Sequence, residues 1–252
     1  MIYGLYLSAQ GAEAQALRQS ILANNLANAQ TTAFKPDIPL FRAFFPAHDR
    51  EHLPPPPGLE EQTGGVELVA TTTDFSQGPL RHTRHPWDVA LKGPGFLQVR
   101  QADRTLLTRD GRLALNPQQQ LVTATKGLPI LSVSGEPIVI PAEAQQVEIN
   151  AQGMVSVINP EGTQLVIGQL AVVEPMPGMV PHKIGMGLYD VAGTRPSQET
   201  QLQQGWLEES VVHPVAGMVE LIETSRSMEM NFNVLKLQDE MLGQLLGSLP
   251  RR

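Results

Sequence analysis

Few side chains of this 252-residue sequence are spaced for chemistry. His82 and His85 could place two metal ligands together, but no further donor in a metal-binding pattern accompanies them. Two pairs of neighbouring glutamates, Glu60-Glu61 and Glu208-Glu209, supply carboxylates. Adjacent side chains of an extended chain point to opposite faces, so neither pair makes a catalytic dyad. We expect both pairs to be solvated surface charges.

Other motifs of enzymes are missing as well. The chain has no Cys, which excludes disulfides, thiolate metal sites and Cys nucleophiles. No G-x-S-x-G elbow occurs. Gly93-Pro94-Gly95 contains a proline and precedes no predicted helix, so it is a turn rather than a nucleotide-binding loop. The sequence therefore predicts no enzyme activity, no cofactor and no metal.

Composition narrows the class of protein further. The net charge is −7 and no basic cluster is present, which argues against nucleic-acid binding. With 22 Gly, 21 Pro and only 17% charged residues, β-structure with many turns is favoured. No apolar run approaches the ~18 residues of a membrane span. The first residues lack the positive region of a secretory signal, so no membrane insertion or cleaved signal peptide is expected.

The N-terminal part, residues 1–35, is predicted to be helical from Leu5 to about Ala29. Apolar and Ala residues recur there at three- and four-residue spacing, which suits close helix packing. Asn24, Asn25 and Asn28 lie near the end of this helix, and Asn is a poor helix former. They indicate either fraying and capping at the helix end or a polar seam that bonds to neighbouring subunits.

The C-terminal part, residues 214–252, is predicted to be one long helix. Pro214 suits a first helical turn, and no Pro interrupts the pattern before Leu249. A 4-3-4-3 spacing typical of coiled coils relates Leu221, Ser225, Met228, Phe232, Leu235, Asp239, Leu242 and Leu246. Asp239 interrupts this seam. The helix could pack on its own domain, but pairing with the N-terminal helix fits better.

The middle of the chain is different. Residues 36–73 are predicted to be an extended or irregular linker with a polyproline run at Pro54–Pro57. Residues 74–195 are predicted to form a β-rich domain, with Asp110-Gly111 as a hairpin turn, loops over 174–200 and an extended return over 196–213. Nine strands are expected, at 87–92, 96–100, 105–108, 112–115, 120–123, 138–140, 146–149, 154–158 and 164–173. The fold class is mainly β with α, a central all-β domain flanked by N- and C-terminal helices that pair as a coiled-coil-like hairpin.

These segments resemble the rod and hook proteins of the bacterial flagellum. The similarity lies in the order of short motifs along nearly the whole chain: Ala23-Asn24-Asn25-Leu26-Ala27-Asn28 with Phe34-Lys35, Ser76-Gln77-Gly78 with Asp88–Phe96, Thr108-Arg109-Asp110-Gly111, Gly205–Ser210, Met218–Glu223, Glu229-Met230-Asn231 and Asp239–Leu242. The basal-body rod proteins are the most similar group, and the proximal-rod type is slightly favoured over the distal-rod type.

The resemblance implies a structural subunit of the flagellar rod, a helical tube that transmits torque and surrounds the export channel. Expected partners are copies of itself, other rod and hook axial proteins and the flagellar type III export apparatus, through which the chain leaves without signal cleavage to the basal body. Subunit packing is expected at Leu5, Ala9, Ala12, Ala16, Ile21, Asn24, Asn25, Leu26, Asn28 and Phe34, and at Met218, Ile222, Met228, Met230, Asn231, Phe232, Leu235, Met241, Leu242 and Leu245. The alternative is a periplasmic binding module whose β-domain holds a protein or a peptidoglycan-associated partner.

Overall fold

The computed structural model describes residues 2–43, 65–144, 146–159 and 163–248. The chain divides into two compact units. Unit 1 comprises Met1–Ala27, Pro36–Asp74 and Val212–Arg252, and unit 2 comprises Asn28–Lys35 and Phe75–Val211. Each unit therefore combines segments that are far apart in the sequence. Within the described ranges, no helix has the length and apolarity that a membrane crossing requires.

Unit 1 contains both long helices and a β-hairpin. Helix α1 spans Ile2–Ala27, and helix α2 spans Pro214–Ser248. Helix α1 ends within the Asn-rich stretch, where the side-chain amides compete with helical hydrogen bonds. Helix α2 begins at the proline that suits a first turn. The two predicted terminal helices and their pairing are thus confirmed.

The hairpin of unit 1 corrects the prediction that residues 36–73 are irregular. Strand β1, Asp37–Ala43, pairs antiparallel with strand β2, Val66–Thr73, with a bulge between Leu40 and Phe41. Its two strands are separated by more than twenty residues, so no short turn signal announced them in the sequence. The polyproline run at Pro54–Pro57 lies outside the described residues.

Unit 2 is built from short antiparallel strands. They are β3 Leu80–His82, β4 Val89–Lys92, β5 Phe96–Gln101, β6 Arg104–Thr108, β7 Leu113–Leu115, β8 Leu121–Thr123, β9 Gln146–Ile149, β10 Met154–Ile158, β11 Gln164–Gln169, β12 Val172–Pro175, β13 His182–Gly185, β14 Leu188–Asp190, β15 Thr194–Pro196, β16 Gln201–Gln204 and β17 Trp206–Glu208. One sheet has the order β13-β14-β6-β5-β12-β15, and another has the order β11-β10-β9. Strand β16 pairs with β4, β17 with β3, and β7 with β8.

Some of these strands, such as β4 and β8, bury side chains on both faces, and others bury alternate side chains on one face. In β9, for example, Val147 and Ile149 are buried, whereas Gln146 and Glu148 are exposed. The main core collects the buried side chains Val89, Leu91, Leu97, Val99, Leu106, Leu113, Leu121, Ile130, Ile138, Ile140, Val147, Ile149, Val155, Val157, Leu170, Leu188 and Leu202. A second core packs Phe96, Leu107, Val173 and Tyr189 against Phe75.

Most of the predicted strands are present, with three corrections. The expected strand 164–173 is divided into β11 and β12, and residues 138–140 make only isolated bridges. The region 174–200 is not a loop, because it contains β13, β14 and β15. Its glycines and prolines mark tight turns between short strands. From the sequence pattern alone, these turns were predicted to be one continuous loop.

Asp110-Gly111 does not form the predicted hairpin turn. Strand β6 before it pairs with β5 and β14, whereas β7 after it pairs with β8. The dipeptide instead carries the chain from one sheet to the next. The Gly111 carbonyl accepts a hydrogen bond of 2.9 Å from Val89 N–H, which brings two backbones into close contact.

Candidate assembly surface and buried charge cluster

The two helices of unit 1 run in opposite directions along each other. A Cβ built on Gly4, near the start of α1, would lie 3.3 Å from Gln238 Nε2, near the end of α2. Further along α1, Arg18 forms an ion pair of 2.7 Å with Glu220, near the start of α2. This pair is largely solvated and contributes about 1 kcal/mol at most. Packing of the two helix faces therefore supplies most of their association.

The predicted seam of α2 is wrong at two positions. Leu221, Ser225, Met228, Leu235 and Leu242 are half-buried, but Phe232 and Asp239 are exposed, and the side chain of Leu246 lies outside the described residues. The half-buried positions are those one residue earlier, Asn231 and Gln238. The polar side chains fit because α1 presents Gly11 and Gly4 opposite them, where little space remains for a larger group. Asp239 is therefore a solvent-facing residue and not a flaw in the seam.

The predicted packing residues of the N-terminal segment divide by burial. In α1, Ala12 and Asn25 are buried, Ala16, Ile21 and Leu26 are half-buried, and Ala9 and Asn24 are exposed. Asn28 and Phe34 belong to unit 2 and are half-buried there; the Phe34 ring lies 4.7 Å from Lys183 Nζ. The side chain of Leu5 lies outside the described residues.

Asn25 has an intrachain role that neither sequence hypothesis anticipated. Its Nδ2 donates to the Asp37 carbonyl at 2.8 Å, and its Oδ1 accepts from Asp37 N–H at 3.0 Å. The side-chain amide thus pairs with the backbone at the start of β1 as a neighbouring strand would. This explains why a poor helix former stands in the last turns of α1: it fastens the hairpin to the helix.

The predicted packing residues of α2 divide in the same way. Met228, Asn231, Leu235 and Leu242 are half-buried; Met218, Ile222, Met230, Phe232 and Met241 are exposed; and the side chain of Leu245 lies outside the described residues. The exposed members are too apolar for a helix face that only meets water.

A row of apolar side chains runs along the side of α2 that faces away from the seam. Its members are three or four residues apart, except where Arg226 takes one position, so they share one helix face. We call this row the outer stripe: Val215, Val219, Ile222, Met230, Val234, Leu237 and Met241, each 43–76% exposed. An exposed apolar row of this kind makes the outer stripe a candidate surface for protein association.

Unit 2 contains a group of charged side chains that are fully buried. The Glu208 carboxylate accepts from Lys35 Nζ at 2.7 Å through Oε1 and from Arg109 Nε at 3.0 Å through Oε2. None of the three side chains is more than 1% exposed. Burying an ion costs several kcal/mol unless it is paired and hydrogen-bonded. Lys35, Arg109 and Glu208 satisfy this condition through one shared carboxylate, and we call them the charge cluster.

Backbone groups complete the charge cluster. Gly78 N–H donates to the carboxylate at 2.8 Å, and the lysine donates to the Ser76 carbonyl. The arginine donates to the Gly93 carbonyl at 2.8 Å, and its guanidinium carbon lies 5.4 Å from the centre of the Phe96 ring. The cluster therefore joins five separate segments of the chain, including both ends of unit 2.

The two ends of unit 2 are also joined directly by backbone hydrogen bonds. Ala33 N–H donates to the Glu208 carbonyl at 2.9 Å, and Val211 N–H donates to the Phe34 carbonyl at 3.3 Å. Glu208 thus contributes its main chain and its side chain to the same junction. Its burial contradicts the prediction that Glu208-Glu209 is a solvated pair, although Glu209 is exposed as expected. The difference follows from the extended backbone of β17, which directs neighbouring side chains to opposite faces.

A second ionic contact fixes the turn after Arg109. Asp110 accepts from Arg112 through both carboxylate oxygens, at 3.0 and 2.9 Å, and also from Thr125 at 2.8 Å. The hydrogen bond from Arg112 to Asp110 raises the pKa of Arg112, partly opposed by burial. This contact stabilises the turn.

The remaining candidates from the sequence are structural or solvated. His82 stacks on Trp206 with ring centres 4.8 Å apart, and His85 lies 3.7 Å from Asp88. In the part of the chain that the structure describes, no three His, Cys, Asp or Glu side chains group as metal ligands. An open groove of about 420 Å³ beside β11 is lined by Ser132, Val133, Ser134, Glu136, Pro137, Ile138, Val139, Ile167, Gly168 and Gln169, without an aromatic ring.

The sequence alone did not predict the charge cluster, although each of its members lies within one of the motifs. The three charges stand in separate motifs, namely Lys35 after Phe34, Arg109 beside Asp110, and Glu208 beside Glu209. Nothing in their local sequence distinguishes them from solvated charges. Pairing them required knowledge of which distant segments meet.

Comparison with known families matches three regions of the chain. They are the flagella basal body rod protein model over residues 5–35, the flagellar hook protein FlgE/F/G D1 domain over residues 90–157, and the flagellar basal body rod FlgEFG protein C-terminal model over residues 203–248. One member of the charge cluster lies in each region.

Whole proteins match over almost the full length. The chain is 33% identical to the flagellar basal-body rod protein FlgG of Buchnera aphidicola subsp. Acyrthosiphon pisum over 263 residues, covering 97% of this chain and 99% of that protein. The chain belongs to the flagellar basal-body rod protein family. The rod protein FlgF of Caulobacter vibrioides is 34% identical, covering 87% and 85%, and FlgF of Salmonella typhimurium is 30% identical, covering 97% of each.

Family membership confirms the resemblance drawn from the motifs. It makes this chain a member of a structural family of axial flagellar proteins located in the basal body. Relatives named FlgG and FlgF both match along most of the chain, so the leaning towards the proximal-rod type stays a prediction.

Proposed function

We propose that this chain is a structural subunit of the flagellar basal-body rod and that the outer stripe of α2 is one of its packing surfaces. The helical tube that such subunits form would transmit torque from motor to hook and surround the export channel. The observation that carries the proposal is the apolar outer stripe on a helix whose opposite side already packs against α1. Contacts between unlike surfaces of successive copies give a filament when their rotation does not close into a ring.

The size of the outer stripe suits assembly. Full burial of one Val, Leu, Ile or Met side chain is worth about 1.5–3 kcal/mol, and the seven side chains are roughly half exposed, so burying them offers about 5–10 kcal/mol. Association itself costs about 4–15 kcal/mol in lost freedom of motion. Loss of two members would thus remove a large share of the net binding energy.

The remaining packing residues follow the same proposal. The small exposed side chains Ala9 and Asn24 on α1, and Met218 and Phe232 beside the outer stripe, would contact neighbouring copies or other rod and hook axial proteins. Delivery would occur through the flagellar type III export apparatus without signal cleavage. The alternative, a periplasmic binding module, is favoured by no observation; the groove beside β11 lacks the aromatic lining that a saccharide site would use.

The test replaces two members of the outer stripe, Ile222→Asp with Leu237→Asp, in cells whose only copy is the variant. We expect the purified monomer to keep its helical circular dichroism, and we expect basal bodies without a complete rod and cells that do not swim. The matched control is Val180→Asp with Met186→Asp, two exposed apolar side chains of unit 2. Complete rods and normal swimming with the stripe variant would refute the proposal.

A further inference from the structure

The C-terminal segment of unit 2 completes both its core and its charge cluster. Strand β16 pairs with β4, and its Leu202 is one of the buried side chains of the main core. Strand β17 pairs with β3 and supplies Glu208. Residues 201–211 are the last part of unit 2 in chain order. The rest of unit 2 therefore depends on residues 201–211 at two places, the main core and the charge cluster.

The charge cluster has the larger effect of the two, because it holds buried charges. Lys35 Nζ and Arg109 Nε lie 2.7 and 3.0 Å from oxygens of the same carboxylate. Before Glu208 arrives, the buried guanidinium of Arg109 lacks the carboxylate that accepts from its Nε. Removing one partner of a buried ion pair is strongly destabilising because an uncompensated charge stays behind. The native packing around the charge cluster is thus unfavourable until the carboxylate is in place.

We propose that Glu208 is a latch whose docking between Lys35 and Arg109 completes unit 2. The rest of unit 2 does not reach its native packing ahead of this last segment. A chain that ends before residue 201 contains every strand of the six-stranded sheet, yet it stays incomplete. Unit 2 consequently completes its fold only when the chain is present up to residue 211. This property belongs to the monomer and goes beyond the rod function.

The two tryptophans of the full chain allow a direct test. Trp87 packs against the main core, and Trp206 lies in β17, next to the latch. Trp206→Phe leaves Trp87 as the reporter of the body, and Trp87→Phe leaves Trp206 as the reporter of docking. Glu208→Gln is introduced into each background and compared with Glu209→Gln, the exposed neighbour that pairs with Arg81. Urea unfolding is followed by tryptophan fluorescence.

The latch predicts one shared response. In Glu208→Gln the Trp87 and Trp206 midpoints fall together, and the unfolded fraction of unit 2 rises on the order of 100-fold or more. Glu209→Gln leaves both midpoints unchanged. In refolding of the parent protein, the two reporters recover with the same rate constant.

Two results would overturn the latch. One is a Glu208→Gln protein whose Trp206 midpoint falls while its Trp87 midpoint stays at the parent value, which would reduce Glu208 to a local anchor. The other is recovery of Trp87 before Trp206 in refolding. If Glu208→Gln does not fold at all, Glu208→Asp keeps the charge with a shorter reach; a smaller shared shift supports the latch, and a shift confined to Trp206 overturns it.

Discussion

Gly111 lies where two backbones of unit 2 approach closely, which makes Gly111→Ala a sharp perturbation. An added Cβ would lie 1.7 Å from the Val89 carbonyl oxygen and 2.7 Å from the Val89 carbonyl carbon. Both neighbours are backbone atoms, so no side-chain rotation can relieve the contact. The segment that holds the Gly111 carbonyl against Val89 N–H must move instead.

The expected cost follows from two contributions. Forced overpacking costs about 1–3 kcal/mol, and a buried backbone donor that loses its partner costs about 1–3 kcal/mol. Together they lower the free energy of unfolding of unit 2 by about 2–6 kcal/mol. At about 2–4 °C per kcal/mol for a unit of this size, the melting temperature falls on the order of 10 °C.

Thermal and urea unfolding of the full chain, followed by Trp87 fluorescence, measure this change. Gly168→Ala is the matched control, because a Cβ on Gly168 meets no atom within 4 Å. Its stability stays within about 0.5 kcal/mol of the parent or rises slightly. A Gly111→Ala protein that is as stable as the Gly168→Ala protein would refute the argument that this glycine is required by backbone contact.

Two further predictions concern unit 1. Asn25→Ala removes both hydrogen bonds to the Asp37 backbone and lowers the free energy of unfolding by about 2 kcal/mol, as measured by urea unfolding with far-ultraviolet circular dichroism. As a control, Ser20→Ala at an exposed position of α1 changes the free energy of unfolding by less than about 0.5 kcal/mol. Equal effects of the two substitutions would contradict the pairing role of Asn25. Leu235→Ser lowers the melting temperature of the helix pair more than Phe232→Ser, because Leu235 is half-buried and Phe232 is exposed. A larger fall for Phe232→Ser than for Leu235→Ser would show that Phe232 is a seam residue, as the 4-3-4-3 spacing predicted.

The helical part shows where sequence periodicity succeeds and where it stops. Apolar spacing and Pro214 predicted both terminal helices and their pairing. The same spacing could not choose between Phe232 and Asn231 as seam residue, because both lie near one helix face. The glycines of α1 decided in favour of the smaller polar side chain.

The β-part shows a similar division. Turn residues and alternation predicted most strands, since these are local properties of the chain. Strands β1 and β2 were missed because their pairing partner is more than twenty residues away. Asp110-Gly111 was misassigned because a turn signal does not say whether the flanking strands pair with each other.

The charge cluster marks the limit of what the sequence by itself determined. The order of motifs determined the family and the structural role, and each charge of the cluster stood within one of those motifs. Only the tertiary structure decided that Lys35, Arg109 and Glu208 meet, because their pairing joins segments that are 74 or more residues apart. The physical reason is burial: once one face of a strand is covered, a charged side chain on that face is stable only if it is paired.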